Sequence, residues 1–166
     1  MRIEDFLLTP SEGIPNNPAL PVIVYHRALA GETELAKAFE ARFLENGWKG
    51  CWRDGVYSYQ HYHTRAHEVL GIARGEACLL IGGPDGRKIE VSAGDCLLLP
   101  AGTGHCRISA DPDFLVIGAY PPGQEADIRT EPAKEEDFAA IRAVALPKAD
   151  PIEGRGGAAS RLWASR

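Results

Sequence analysis

The sequence lacks several features that define large classes of proteins. No apolar run approaches the roughly 18 residues needed to cross a bilayer. The first ten residues, MRIEDFLLTP, place acidic side chains where a signal peptide needs an apolar core. A basic excess is also missing, because the formal charge at pH 7 is −5, which argues against binding to a nucleic-acid backbone. We therefore expect a cytoplasmic protein that binds neither membranes nor nucleic acid.

Cysteine is scarce and irregularly spaced. The four cysteines contain no Cys-x-x-Cys pair, which favours free thiols over a disulfide framework. What remains is an ordinary globular composition, with 45% apolar and 25% charged residues among 166. This length suits a single domain spanning 1–166 with a sizeable core.

Short strand patterns separated by turns fill the middle of the chain. They lie at 56–63, 68–74, 78–81, 88–91, 96–99, 105–109 and 114–120. The turns between them are rich in glycine, as in Pro84-Asp85-Gly86, where proline presets φ and glycine tolerates positive φ. Many short strands at this spacing predict an antiparallel sandwich or barrel.

The two ends of the chain have a different character. A proline-rich loop over 9–21 leads into a strand pattern at 21–25. Apolar residues then recur every four positions at Leu35, Phe39 and Phe43, which predicts a helix over 33–46 with Thr33 as its N-cap. From position 121 the chain is rich in proline, glycine and alanine, with one possible helix at 134–144. The prediction is an N-terminal arm (1–50) with a strand and a helix, a barrel (51–120), and a tail (121–166) that wraps the barrel or a partner subunit.

Four residues within this barrel region have the chemistry of metal ligands. His61 and His63 are two apart in a strand pattern, so their side chains are expected on one face, about 7 Å apart. Glu68 opens the following strand pattern, and His105 opens a later one after a glycine-rich turn. Three imidazoles and one carboxylate suit a divalent ion such as Mn, Fe, Co, Ni or Zn. We expect these four residues to hold one such ion.

One ligand position has an alternative. Neighbouring residues on a strand point to opposite faces, which favours Glu68 as the ligand and places His67 outward or beside the ligands. A connection one residue shorter than assumed would instead make His67 the ligand in place of Glu68.

The spacing of these residues resembles that of the cupins, the RmlC-like jelly rolls. The first cupin motif is matched at every signature position by Gly55-x5-His61-x-His63-x4-Glu68-x6-Gly75. The second is matched by Gly94-x5-Pro100-x-Gly102-x2-His105-x3-Ser109, except that Ser109 stands where asparagine is usual. Because that asparagine is not a ligand in the family pattern, the departure leaves the metal site in place.

A narrower resemblance is to the YjlB-like single-domain bacterial cupins. It rests on His-Tyr-His-x3-His-Glu-Val-Leu-Gly, on Gly-Asp-x4-Pro-Ala-Gly and on Val-Ile-Gly-Ala-Tyr-Pro-x-Gly-Gln, and it extends to about Trp163. The resemblance implies an all-β double-stranded β-helix, or jelly-roll barrel, with one helix on its N-terminal side and a C-terminal extension. It also implies a homodimer, for which the strand pattern at 22–25 is a candidate exchange element.

Three further residues are candidates for contact with a substrate. The alternation that points His61 and His63 inward does the same for Tyr57 and Tyr59, and the alternation from His105 does so for Arg107. A phenol and a guanidinium near a metal can orient an anionic substrate, although simple barrel filling explains the same pattern.

The sequence leaves two functions open. One is a metal-dependent oxygenase or isomerase acting on a small polar or anionic metabolite, and the other is a non-catalytic protein that binds metal or a small ligand.

Overall fold

The computed structural model describes residues 1–164, which form nine strands and three short helices. In chain order they are β1 (Arg2–Phe6), β2 (Val22–His26), α1 (Leu35–Glu45), β3 (Lys49–Asp54), β4 (Glu68–Arg74), β5 (Glu76–Ile81), β6 (Arg87–Ser92), β7 (Cys96–Leu99), β8 (His105–Ala110), β9 (Leu115–Tyr120), α2 (Glu135–Ala143) and α3 (Ala158–Trp163). The fold is therefore mainly β, with helices only in the two flanking segments.

The strands form two antiparallel sheets that face each other. One has six strands in the order β1-β2-β7-β4-β9-β3, and the other has three in the order β6-β5-β8. Leu70 and Ile72 of β4 pack with Leu79 and Ile81 of β5 in the apolar layer between the sheets. Two facing sheets confirm the predicted cupin jelly roll. Strand pairing within residues 1–164 does not, however, join them into a closed barrel.

The outer face of the six-stranded sheet is covered by α1 and by the tail. Phe39 and Phe43 lie on the buried face of α1, as their four-residue spacing predicted. Gly71 allows this approach, since a Cβ there would lie 2.6 Å from the Phe39 ring. Trp163 of α3 belongs to the same apolar cluster. The predicted helix is confirmed, although it begins at Leu35 and the N-cap is Glu34 rather than Thr33.

A buried carboxylate fastens the tail to this face. Asp150 is fully buried and accepts hydrogen bonds of 2.5–2.8 Å from the Tyr25 hydroxyl and from the backbone N–H groups of Ile152, Glu153 and Ala159. The indole Nε1–H of Trp163 donates to the Pro21 carbonyl at 2.9 Å. Since a buried donor without a partner costs about 1–3 kcal/mol, these bonds hold the tail against β2.

The prediction of a strand over 56–63 was wrong. This segment is an extended loop with two isolated β-bridges, from His61 to His105 and from Tyr62 to Arg129. One bridge pairs the segment with β8 and the next pairs it with the tail, so a continuous ladder of backbone hydrogen bonds to one partner strand does not form. Strands β1 and β3 were not predicted, because both lie at the edges of the sheet and are largely exposed, without a clear apolar alternation.

Two remaining features concern membrane spans and thiols. Within the described part of the chain, none of the helices combines the length and the apolar character that a membrane crossing requires. The four cysteines are free thiols, of which Cys96 and Cys106 are buried and Cys51 is exposed.

Candidate metal centre

A cavity of about 520 Å³ between the two sheets contains the predicted ligands. It is lined by β3, β4, β8, β9 and the loop that precedes His61. The side chains of Tyr57, Tyr59 and Ile128 are 46%, 48% and 55% exposed, whereas His61, His63, Glu68 and His105 are buried. The cavity is thus open to solvent at one end and holds the four predicted ligands away from solvent.

Three imidazoles converge in this buried part. His61, His63 and His105 each offer a ring nitrogen, and these nitrogens lie within 4.8 Å of one another. A β-bridge brings the first and last together: the His61 N–H donates to the His105 carbonyl at 3.3 Å, and the His105 N–H donates to the His61 carbonyl at 3.0 Å. Long-range backbone pairing, rather than a regular strand at 56–63, therefore assembles the cluster.

Each of the three rings is oriented through its Nδ1 atom. The acceptor is the Tyr59 carbonyl for His61 at 3.2 Å, the Thr103 carbonyl for His105 at 2.9 Å, and the Asp127 carbonyl for His63. A carbonyl can only accept, so Nδ1 carries the hydrogen and the neutral ring keeps its lone pair on Nε2. Metal-binding histidines are commonly held in this way. The donor set therefore fits a divalent transition metal.

Glu68 lies against two of these histidines. Its Oε1 is 3.3 Å from Nε2 of His63 and 3.3 Å from Nε2 of His105. Within residues 1–164, the three histidines form the group of mutually close metal-donor atoms. Glu68 lies next to this group and is not one of its members. Three neutral imidazoles and one carboxylate would leave a divalent ion with a net charge of about +1.

The protonation of the metal-free site is governed by the pair His63 and Glu68. Burial lowers the pKa of His63. The charge of the Glu68 carboxylate, its hydrogen bond to His63 and the hydrogen bond to the Asp127 carbonyl outweigh burial and raise the pKa of His63 to about 9. The same contacts hold the pKa of Glu68 below its usual range despite complete burial. Burial and the neighbouring His105 lower the pKa of His61 to about 3. His63 is therefore protonated in the metal-free site at neutral pH.

Comparison with known proteins shows the family of this chain. No family model matches the chain. The protein YjlB of Bacillus subtilis (strain 168) is 41% identical over 157 residues, which covers 93% of this chain and 93% of the relative. The chain belongs to the YjlB-like family of cupins.

Two solved structures are similar to this YjlB-like cupin at a lower level. One is a protein with a double-stranded β-helix domain from Klebsiella pneumoniae subsp. pneumoniae, with a TM-score of 0.40, 16% identity, and coverage of 76% of this chain and 86% of the other. The other is acireductone dioxygenase from Bacillus anthracis with a cadmium ion in its active centre, with a TM-score of 0.38, 18% identity, and coverage of 69% and 79%.

His67 of this YjlB-like cupin lies away from the other histidines. Its buried ring packs on Trp163, with ring centroids 4.8 Å apart, and its Nδ1 accepts a hydrogen bond of 2.9 Å from the Ala101 N–H. Burial lowers its pKa to about 4. We expected this side chain outward or beside the ligands, but the tail covers it. The structure brings Glu68, and not His67, to the histidine cluster.

The three candidates for substrate contact line the outer part of the cavity. The rings of Tyr57 and Tyr59 stack with centroids 4.9 Å apart and planes 13° apart. Arg107 of β8 lies on the same wall, and its backbone N–H donates to the Tyr57 carbonyl at 2.8 Å. The strand alternation used to place the tyrosines was wrong, since residues 56–63 form a loop, yet both rings line the cavity.

Two residues near the candidate metal centre, one in the tail and one in β9, were not predicted as part of it. The Asp127 carboxylate accepts hydrogen bonds from the Thr64 N–H at 2.8 Å and the Thr64 hydroxyl at 2.6 Å, which fixes the turn after His63. Tyr120, the last residue of β9, lines the cavity with Trp52 of β3. The only signal for Tyr120 was its place in the Val-Ile-Gly-Ala-Tyr-Pro motif shared with YjlB-like cupins.

Proposed function

We propose that this protein binds one divalent transition metal (Mn, Fe, Co, Ni or Zn) through His61, His63, His105 and Glu68, and that it acts as a metal-dependent enzyme on a small anionic metabolite. One observation carries the proposal. All three Nδ1–H groups are committed to backbone carbonyls, which leaves the three Nε2 atoms beside one buried carboxylate. Without a metal, a proton on His63 satisfies only part of this group, whereas a metal ion would bind all three Nε2 atoms and the carboxylate.

A divalent ion in this position supplies Lewis-acid polarisation of a substrate oxygen and, where the ion is iron, oxygenase chemistry. The protein's own contribution is to bind and orient the substrate. Arg107 supplies a positive charge for this purpose, since it forms no salt bridge within residues 1–164. Arg53, which lines the same cavity, is neutralised by a two-point contact with Glu40 at 2.6 and 3.1 Å. Arg107 is therefore available for a carboxylate or phosphate group.

The stacked tyrosines add a second recognition element. Their faces offer a flat apolar surface, and their hydroxyls can donate to polar groups of a bound metabolite. A volume of about 520 Å³ falls in the usual range for small-molecule sites, roughly 300–1,000 Å³. The exposed rim of Tyr57, Tyr59 and Ile128 supports exchange of substrate and product, which favours an oxygenase or isomerase over a closed container.

Elemental analysis of untagged protein purified without chelators tests the first part of the proposal. About one transition-metal ion per chain is expected. Iron would direct the search to oxygen uptake with small acids, and manganese, nickel or zinc to isomerase assays. Protein that contains no metal and takes up none on titration would contradict the proposal. A stoichiometric metal with no turnover of any small anion would support the alternative, a non-catalytic binding protein.

Two arginine variants test the binding of anions. Arg107→Ala should weaken binding of oxalate or phosphate to the metal-loaded protein by about 10- to 100-fold, since hydrogen bonds to charged groups contribute about 1.5–3 kcal/mol. Arg53→Ala is the matched control, and little change is expected because Glu40 already neutralises Arg53. Titration calorimetry measures both affinities. Equal losses in the two variants would remove Arg107 from this role.

We also propose a homodimer located in the cytoplasm, as the sequence predicted. In the single chain described here β2, the expected exchange element, pairs with β1 on one side and β7 on the other. Exchange between protomers would therefore have to carry β1 along with β2. Light scattering at micromolar concentration is expected to give twice the mass of the chain, and the mass of a monomer would contradict this proposal.

A further inference from the structure

Tyr120 and Trp52 form a hydrogen-bonded pair on the wall of the cavity that contains Glu68. The indole Nε1–H of Trp52 donates to the Tyr120 hydroxyl oxygen at 2.9 Å. Both side chains line the cavity together with the three histidines. Neither residue is a metal donor or one of the substrate contacts proposed above.

The strand register places Tyr120 beside Glu68. Strands β4 and β9 are antiparallel and pair Val69 with Ala119 and Leu70 with Gly118. The next pair in the same register is Glu68 with Tyr120. Cross-strand neighbours have Cβ atoms about 4.5–5.5 Å apart, and both side chains face the cavity. A tyrosine hydroxyl can reach the carboxylate over this distance.

Gly118 fixes the position of the indole. Trp52 is the cross-strand partner of Gly118 in the pairing of β3 with β9. A Cβ atom at Gly118 would lie 2.0 Å from the Trp52 ring, so the indole lies directly on the backbone of β9. From there its N–H reaches Tyr120, two residues further along the strand. The backbone of β9 thus positions Trp52, and Trp52 positions Tyr120.

The direction of this hydrogen bond leaves the Tyr120 hydrogen free for another acceptor. An indole N–H only donates, so the Tyr120 oxygen accepts and its own O–H points elsewhere. In Glu68, Oε1 contacts both His63 and His105, and neither of these contacts involves Oε2. A tyrosine phenol, whose ordinary pKa is about 10, keeps its hydrogen at neutral pH and can donate it.

We propose that Tyr120 is a positioning residue of the metal centre, whose hydroxyl, oriented by Trp52, donates to Glu68 and holds the carboxylate facing the histidines. This inference rests on the proposed function, because the orientation of Glu68 matters only if Glu68 serves a metal. Loss of the hydroxyl frees the carboxylate to rotate. Removing a group that supports a metal ligand typically reduces affinity by about 10- to 100-fold.

The test is a titration of Co²⁺ into metal-free protein. Tyr120→Phe is expected to lower cobalt affinity at least about tenfold and to shift the visible absorption of bound cobalt, because the carboxylate binds in a different orientation. Trp52→Phe keeps the hydroxyl but removes its donor, so both effects should follow in the same direction and be smaller. Tyr59→Phe, which removes a hydroxyl at the exposed rim, should change neither. Thermal melting of the metal-free variants verifies that they are folded.

The outcomes separate this inference from the proposed function. Wild-type affinity and an unchanged spectrum in Tyr120→Phe would overturn the role of Tyr120 and leave the metal site standing. Equal shifts in Tyr59→Phe would overturn it as well. A wild type that binds no cobalt would overturn the proposed function, and the role of Tyr120 with it. If Tyr120→Phe does not fold, the cobalt affinity and the visible spectrum of Trp52→Phe test the role of Tyr120 instead.

Discussion

Replacing His63 or His105 by alanine is expected to abolish most of the metal affinity of the protein, a loss of more than about 100-fold. Each variant removes one of three buried Nε2 donors and leaves Glu68 with one imidazole neighbour instead of two. His67→Ala is the matched control, since it removes a buried histidine adjacent to Glu68 that contacts Trp163 rather than the cluster. Its metal affinity should stay within a few-fold of wild type. Competition titrations against a chelator measure all three variants.

The control variant has a structural cost of its own. His67→Ala leaves a cavity beneath the tail, and substitutions of this kind destabilise by a few kcal/mol. Its melting temperature should fall while its metal stoichiometry is retained. Full metal retention by both His63→Ala and His105→Ala would rule out the proposed metal site. Loss of metal by folded His67→Ala would make His67 the ligand in place of Glu68.

The sequence contained enough information to select the candidate ligands. His61, His63 and Glu68 lie within one stretch of eight residues (61–68), whereas His105 was selected by its match to the second cupin motif rather than by a local pattern. Strands with a clear apolar alternation, such as β4 and β7, lie where the pattern placed them. Helix α1 likewise follows from the spacing of its two buried phenylalanines. The strands and the helix are local features, so a single sequence reveals them.

The rest of the site depends on contacts between segments far apart in the chain. The Asp127 carbonyl accepts from His63, 64 residues away, and Trp52 donates to Tyr120, 68 residues away. No local pattern predicts that a tail segment returns to orient a histidine. The loop at 56–63 shows the same limit, because its bridges to His105 and Arg129 replace the strand that its alternating residues suggested.

The alternation at the start of β4 links the metal site to the tail. Glu68 faces the cavity, while His67, immediately before it, packs under α3 on the other face of the sheet. The tail also supplies Asp127, which fixes both His63 and the turn that follows it. The tail therefore contacts both residues that flank this turn, covering His67 on one face of the sheet and orienting His63 beside the cavity.

Metal affinity is expected to rise about tenfold for each pH unit between pH 7 and pH 9, because a metal ion must displace one proton from the site. In the metal-free protein the Glu68 carboxylate raises the pKa of His63 to about 9. Below that pH the Nε2 of His63 carries a proton that competes with the metal, and above it the competition ends. The affinity at pH 7 should thus be about 100-fold below its value at high pH.

Glu68→Gln provides the matched control for this pH dependence, because it keeps the shape of the side chain and removes its charge. Without the carboxylate, burial dominates and lowers the pKa of His63. The slope between pH 7 and pH 9 should then flatten, while the affinity at pH 9 falls because a charged ligand is lost. Calorimetry in two buffers of different ionisation enthalpy counts the protons released, with about one expected for the wild type at pH 7 and fewer for the variant. The same slope in both proteins would show that the competing proton resides elsewhere than on the pair of His63 and Glu68.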